Sequence, residues 1–174
     1  FINMPDKEVD SGIENALEEI SEFIGAKRAG IFLMSDDQEL ASLTHQWIAD
    51  PTYTGMGLEK DIPFSTFAYS ASVLSRFEDY SVGKPSDLPK KAVSEKKWYE
   101  NQGFHPIFVV PIISENTLVG ILGFIGEHKS EITWPEHYGN LLRYIAIILF
   151  NAIRRREISS KLRLAQFTLE RYSD

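Results

Sequence analysis

Apolar residues at Ile13, Ala16, Leu17, Ile20 and Ile24 recur every three or four positions, with Glu14, Glu18, Glu19 and Glu22 beside them. That spacing collects the apolar side chains on one side of a helix, and Gly25 supplies a left-handed stop. The period then changes. Arg28–Met34 (RAGIFLM) and Leu40–Ala49 read as strands, with Ser35, Asp36 and Asp37 as the turn of a hairpin. A second hairpin is predicted from Ile107–Ile113 and Thr117–Ile125 around Ser114–Asn116. Ser114, Glu115 and Asn116 break this apolar run well short of the roughly 20 residues that cross a membrane.

The chain ends in a long helical pattern. Thr133 and Glu136 in TWPE have the spacing of a capping box, which predicts a helix starting there. Leu141, Leu142, Ile145, Ile148, Leu149, Ala152 and Ile153 give it a wide apolar face. No Gly or Pro follows Asn140, so no stop signal ends it. A helix from Trp134 to about Glu170 would be ~55 Å long. Ile158, Leu162, Ala165, Leu169 and Tyr172 step by four and three, a heptad seam that predicts a dimeric rod. Extending the earlier seam of Leu141, Ile145, Ile148 and Ala152 forward would instead put Arg155 and Ser159 at the core positions, so a phase shift is expected near Arg154–Ser159.

Between the hairpins the pattern is less regular. A strand near Leu58–Ile62, a short helix over Ser65–Ser75, a loop over Gly83–Pro89 and a helix over Pro89–Gln102 ending at Gly103 are predicted. Ten of the chain's 21 aromatic residues lie between Trp47 and Phe104, which a disordered loop would not carry. The segment therefore packs on the sheet. It forms either a filled secondary core or the cover of a small-molecule cavity. Gly120 and Gly123 stand inside a strand, where glycine signals close approach by something else. A helix packed on the sheet is the expected cause, and a ligand is the other reading.

Composition removes whole classes of function. The net charge of -7 opposes a broad nucleic-acid surface. The 174 residues contain no cysteine, which excludes disulfides, thiolate metal sites and cysteine nucleophiles and fits a reducing compartment, here the cytoplasm. His45, His105, His128 and His137 lie in different elements without metal-ligand spacing. Gly55-Met56-Gly57 lacks the rest of a dinucleotide loop, and no nucleophile elbow is present. With no nucleophile–base pair or metal constellation, no enzyme is expected. The chain opens on Phe1 rather than Met, so a piece of a longer protein is expected.

Four stretches in order carry a resemblance: GAKRAGIFL (Gly25–Leu33), PIFVVPI (Pro106–Ile112), TLVGILGF (Thr117–Phe124) and WPEHYGNLLRYIAIILFNAIRRRE (Trp134–Glu157). Together they resemble a GAF domain of the kind found in bacterial and archaeal sensory histidine kinases. The resemblance implies an α+β, profilin-like fold: a six-stranded antiparallel sheet with the N- and C-terminal helices on one face and a capping segment on the other. It implies a homodimer through those helices, and a pocket under the capping segment. The domain is expected over 1–158. Residues 159–174 are then a helical linker towards a following PAS or kinase domain, since KLRLAQFTLERYSD resembles the junction before a PAS domain.

Departures from the family narrow its cofactors. Phytochrome-type members hold a bilin through a cysteine, and the sulfoxide-reductase members also need cysteines. The Asn-Lys-Phe-Asp-Glu signature of cyclic-nucleotide binders has no counterpart here. Haem would rest on His45 or His105 alone. None of these cofactors is expected. The reading that follows is a non-catalytic sensor domain of a two-component signalling protein, with no nucleic-acid or membrane contact of its own. Expected pocket residues are Trp47, Tyr53, Phe67, Trp98 and Phe108, the last from strand parity. Expected dimer residues are Ile158, Leu162, Ala165 and Leu169. A ligand-free dimerising connector is the competing reading.

Overall fold

The computed structural model describes residues 5–51 and 60–172. Helix α1 (Asp6–Ile24) leads to strands β1 (Arg28–Met34) and β2 (Leu40–Ile48). The middle segment holds β3 (Asp61–Pro63), a 3-10 turn at Phe64–Phe67, α2 (Ala68–Ser75), β4 (Tyr80–Val82) and α3 (Val93–Gln102). Strands β5 (Ile107–Ser114) and β6 (Thr117–Ile125) precede α4 (Tyr138–Tyr172). The six strands form one antiparallel sheet in the order β3-β2-β1-β6-β5-β4. Gly25 ends α1 at φ 78°, as only a residue without a Cβ does cheaply.

Alternation along the strands divides the apolar residues between two cores. On the helix side, Ile31, Val110, Leu122 and Phe124 meet Ile13 and Leu17 of α1 and Leu142, Leu149 and Ile153 of α4. On the other side, Val73, Leu74, Tyr80, Val82 and Leu118 form a second core under the middle segment. Arg143 fastens the two sides at one edge. Its Nε donates to Asp79 at 2.7 Å and its Nη2 to the Phe77 carbonyl at 3.0 Å, just ahead of β4.

The structure corrects several local expectations. Helix α4 begins at Tyr138, so Thr133 and Glu136 lie ahead of it and the TWPE capping box is not its N-terminus. The Trp134 indole instead donates to the Ile24 carbonyl at 3.0 Å and packs edge-on against Phe108. That anchor holds TWPE against the end of α1, and turns closed on the Pro135 and Glu136 carbonyls start the helix later. Helix α3 likewise begins four residues after Pro89, behind a turn in which Ala92 N–H donates to the Pro89 carbonyl. The third strand is shorter and later than Leu58–Ile62, whose first two residues lie outside the described part of the chain. Strand β4 was not anticipated, because three residues with an exposed Ser81 in the middle carry too little pattern.

The two strand glycines have different causes, and neither is a helix. A Cβ at Gly120 would sit 2.5 Å from the Phe32 carbonyl oxygen of the adjacent strand, next to the register shift at Ile112/Ile113. A Cβ at Gly123 would meet only Val109 Cγ2, at 3.6 Å.

Helix α4 carries two separate faces. Leu142, Ala146, Leu149 and Ile153 are buried against the sheet. Leu141, Tyr144 and Ile148 are 43, 72 and 53% exposed, and Ile158, Leu162 and Leu169 are 61–68% exposed. Asn151 and Arg155, both exposed, fall between these groups at the same three-and-four spacing. The expected phase shift is therefore absent. One outward heptad stripe runs from Leu141 to Tyr172, with Asn151 and Arg155 as its polar positions. The shift came from mixing in Ile145 and Ala152; Ala152 is buried within the domain.

Polar contacts bind α1 to α4 where the helix leaves the sheet. Asp10 accepts from His45 Nε2 of β2 at 2.7 Å and pairs with Arg156 of α4. Asp6 accepts from Ser159 Oγ at 3.0 Å and pairs with Arg163.

Candidate functional site

A cavity of about 140 Å³ lies between the sheet and the middle segment. Its floor is the face of the sheet opposite the terminal helices: Arg28, Gly30 and Phe32 of β1, Val109 of β5, and Ile121 and Gly123 of β6. Its roof comes from Phe64 and Phe67 of the 3-10 turn, Ser70 and Leu74 of α2, and Glu95, Trp98 and Tyr99 of α3. The walls are almost wholly apolar. Gly123 leaves its share of the floor open, since no side chain rises from it.

Two residues of this wall each carry a buried polar atom without a hydrogen-bond partner: Arg28 Nη1 and Glu95 Oε2. Each belongs to a residue half satisfied or held by its neighbours. Arg28 is 6% exposed and donates through Nη2 to Gln46 Oε1 at 3.1 Å. Burial lowers the guanidinium's pKa from its ordinary value, yet it stays charged at neutral pH. Glu95 is 4% exposed and accepts from the Ser70 amide through Oε1 at 2.9 Å, which ties α3 to α2. Burial, first of all, pushes the Tyr80 and Tyr99 phenols well above their usual range, and the Glu95 carboxylate adds to the effect on both. Both phenols are therefore neutral hydrogen-bonding groups here.

Of the residues expected from the sequence, Phe67 and Trp98 line the cavity together, with ring centroids 6.3 Å apart and edge-to-face. Trp47 and Phe108 do not line it. Both pack with the helix-side core, Phe108 against Trp134 at 5.3 Å. Strand parity explains this: Ile107 and Val109 face the cavity, so Phe108 between them faces away. Trp47 shares its face of β2 with His45, which reaches Asp10 of α1. Tyr53 lies outside the described residues. Arg28 and Glu95 were missed. A sequence signal existed for Arg28, a charged residue at the start of an otherwise apolar strand and in phase with Gly30 and Phe32. Glu95 gave none, as an acidic residue in a first helical turn is commonplace.

The histidines are engaged elsewhere. His45 has Asp10 at one ring nitrogen and Thr44 Oγ1, at 3.1 Å, at the other. His105 is buried, stacks on His128 with centroids 4.8 Å apart, and places Nδ1 3.4 Å from the Gly126 carbonyl. Burial is the largest influence on His105 and lowers its pKa below 6.5; the Gly126 carbonyl opposes this and His128 adds to it. In that window the unfolded chain binds more protons than the folded one, so stability falls as pH drops below about 6.5. His105→Asn keeps a donor for Gly126 but cannot titrate. It is expected to flatten the dependence, read as the difference in urea midpoint between pH 7.5 and 5.5. An unchanged difference would assign the slope to other groups.

One antiparallel sheet thus carries the terminal helices on one face and a capped cavity on the other. The GAF domain family profile matches residues 8–153, and the chain belongs to the GAF family. It is similar to the methanogenesis regulatory histidine kinase FilI of Methanothrix harundinacea (strain 6Ac), 28% identical over 173 residues. That match covers 94% of this chain but spans only 18% of the relative's length. Among solved structures, the GAF domain region of a putative membrane protein from Geobacter sulfurreducens PCA aligns at TM-score 0.64 and 16% identity, covering 84% of this chain and 93% of that one. The GAF domain of an Acinetobacter phosphoenolpyruvate-protein phosphotransferase aligns at TM-score 0.63 and 12% identity, covering 88 and 86%. No helix among the described residues is long and apolar enough to cross a membrane.

Proposed function

We propose that this GAF domain is a cytoplasmic, non-catalytic sensor domain of a histidine kinase. It would bind a small molecule between the sheet and the middle segment and pass the result to a second copy through its terminal helices. The observation that carries this reading is the cavity itself. It is roofed by the segment between the hairpins and floored by β1 and β6, whose other faces pack α1 and α4. A ligand that prefers one seating of α2 and α3 shifts the population of sheet arrangements. The helices on the opposite face read that shift by rotation or sliding. Residues 159–174 then act as the linker to a following PAS or kinase domain.

The outward stripe of α4 supports a parallel dimer with a second copy of this chain. At 35 residues the helix is about 52 Å long, and beyond Arg163 its side chains find no cover in the domain. A heptad stripe is complementary to itself, and burying it between two copies removes the exposed leucines and isoleucines from water. Asn151 and Arg155 weaken the seam just ahead of the Arg156–Asp10 and Arg163–Asp6 pairs that bind α4 to α1.

Native mass spectrometry of freshly purified protein tests both parts together. A dimer carrying a small-molecule adduct is expected. Gly123→Val should remove the adduct and keep the dimer, because its side chain enters the cavity over Val109 without striking backbone. Gly123→Ala should also raise stability by about 0.5–1 kcal/mol through the lost glycine freedom. A dimer with no adduct, and no small molecule that raises its melting temperature, would overturn the sensor and leave a connector.

A further inference from the structure

Resting on the cavity-binding reading above, we infer that the ligand is a small zwitterion, with a carboxylate held by Arg28 and an ammonium held by Glu95 across a short apolar body. Arg28 Nη1 and Glu95 Oε2 are buried, oppositely charged and unpartnered, and both residues line the same cavity. A buried charged group without a partner is costly, and each such group in a native structure calls for an explanation. In each residue one polar atom is satisfied and the other is not. Arg28 is oriented by Gln46 through Nη2 and leaves Nη1 to donate. Glu95 is oriented by the Ser70 amide through Oε1 and leaves Oε2 to accept.

The ligand must therefore bring an acceptor to Arg28 and a donor to Glu95, and charge on each is favoured because the partner is charged. Between them the walls are hydrocarbon and aromatic, with Phe67 and Trp98 above and Val109 and Ile121 below. An apolar cavity of about 150 Å³ takes up benzene. The 140 Å³ here thus matches a body of roughly six heavy atoms. This is the size of a small amino acid rather than of a nucleotide or a tetrapyrrole.

The test uses the chain as it stands and follows melting temperature and calorimetric binding. The probes are γ-aminobutyrate, δ-aminovalerate and L-leucine as zwitterions, valerate and pentylamine with one charge each, and pentanol with none. At least one zwitterion is expected to bind, with valerate and pentylamine each about tenfold weaker or more, as expected for one lost charge-assisted hydrogen bond. Glu95→Gln keeps an acceptor for Ser70 but turns the open atom into a donor. It should weaken the zwitterion by about tenfold or more while leaving valerate unaffected. Arg28→Met should remove the response to valerate and zwitterion while leaving pentanol binding intact. It also discards a buried unpaired charge, so it is expected to fold. Equal binding of pentanol and the zwitterions would overturn the ligand class and keep the cavity reading. No binding by any probe, pentanol included, would overturn both. Retained zwitterion binding by both variants would overturn the assigned contacts.

Discussion

Glutamate at both Ile158 and Leu162 is expected to convert the dimer to a monomer while leaving the domain core intact. In the single chain these side chains are 63 and 61% exposed, so their replacement removes nothing from the domain core. In a parallel dimer they form successive layers of the seam. Four apolar side chains leave it, each worth about 1.5–3 kcal/mol when buried, and four like charges enter. The loss is on the order of 6 kcal/mol, roughly four powers of ten in the dimer dissociation constant. Light scattering at tens of micromolar reads the change directly. Arg155→Leu is the matching opposite: an apolar residue at a polar seam position should tighten the dimer. A double glutamate variant that stays dimeric would move the interface to the Phe23, Tyr138 and Tyr144 face, where the Phe23 and Tyr138 rings already lie 5.4 Å apart, tilted against each other.

Phe124→Ala is expected to lose about 3–5 kcal/mol of stability, the cost of emptying a large buried aromatic site. Phe124 is fully buried among the helix-side residues that join the sheet to α1 and α4. A domain of this kind has only about 5–15 kcal/mol in total, so urea unfolding should shift far to lower concentration. Its neighbour Gly123 gives the contrast. One residue along the same strand, on the other face, an added side chain enters existing space and is expected to stabilise. A loss below about 1.5 kcal/mol for Phe124→Ala would mean that the surrounding leucines and isoleucines collapse into the gap. The pair separates the face of the sheet that holds the domain together from the face that leaves room for a ligand.

Much of the fold is legible because the long elements repeat their pattern. Ile13, Leu17 and Ile24 mark α1, RAGIFLM marks β1, and Ile107–Ile125 marks the second hairpin, since these segments alternate with the periods of helix and strand over several repeats. Strand β4 escapes because Tyr80–Val82 is too short to show a period. TWPE misleads because a capping box is a local signal, and the indole of Trp134 is claimed by a carbonyl 110 positions earlier in the chain. The cavity is half legible. Phe67 and Trp98 were found by aromatic density, which registers packing but not direction. Phe108 and Trp47 belong to the same density and point the other way.

The sequence by itself determined the elements of long period, the family, the absence of thiol chemistry and the seam of the last helix, because each is a property of neighbours along the chain. Tertiary structure decided what depends on distant residues meeting. It placed β4 at the sheet edge, turned Phe108 away from the cavity, and joined the two halves of α4's outer stripe into one heptad by showing which side the core occupies. It also brought Arg28 and Glu95, 67 positions apart, to the same apolar cavity with one unpartnered polar atom each. A buried charge acquires meaning only from what surrounds it, and those surroundings are assembled from strands and helices far apart in the chain.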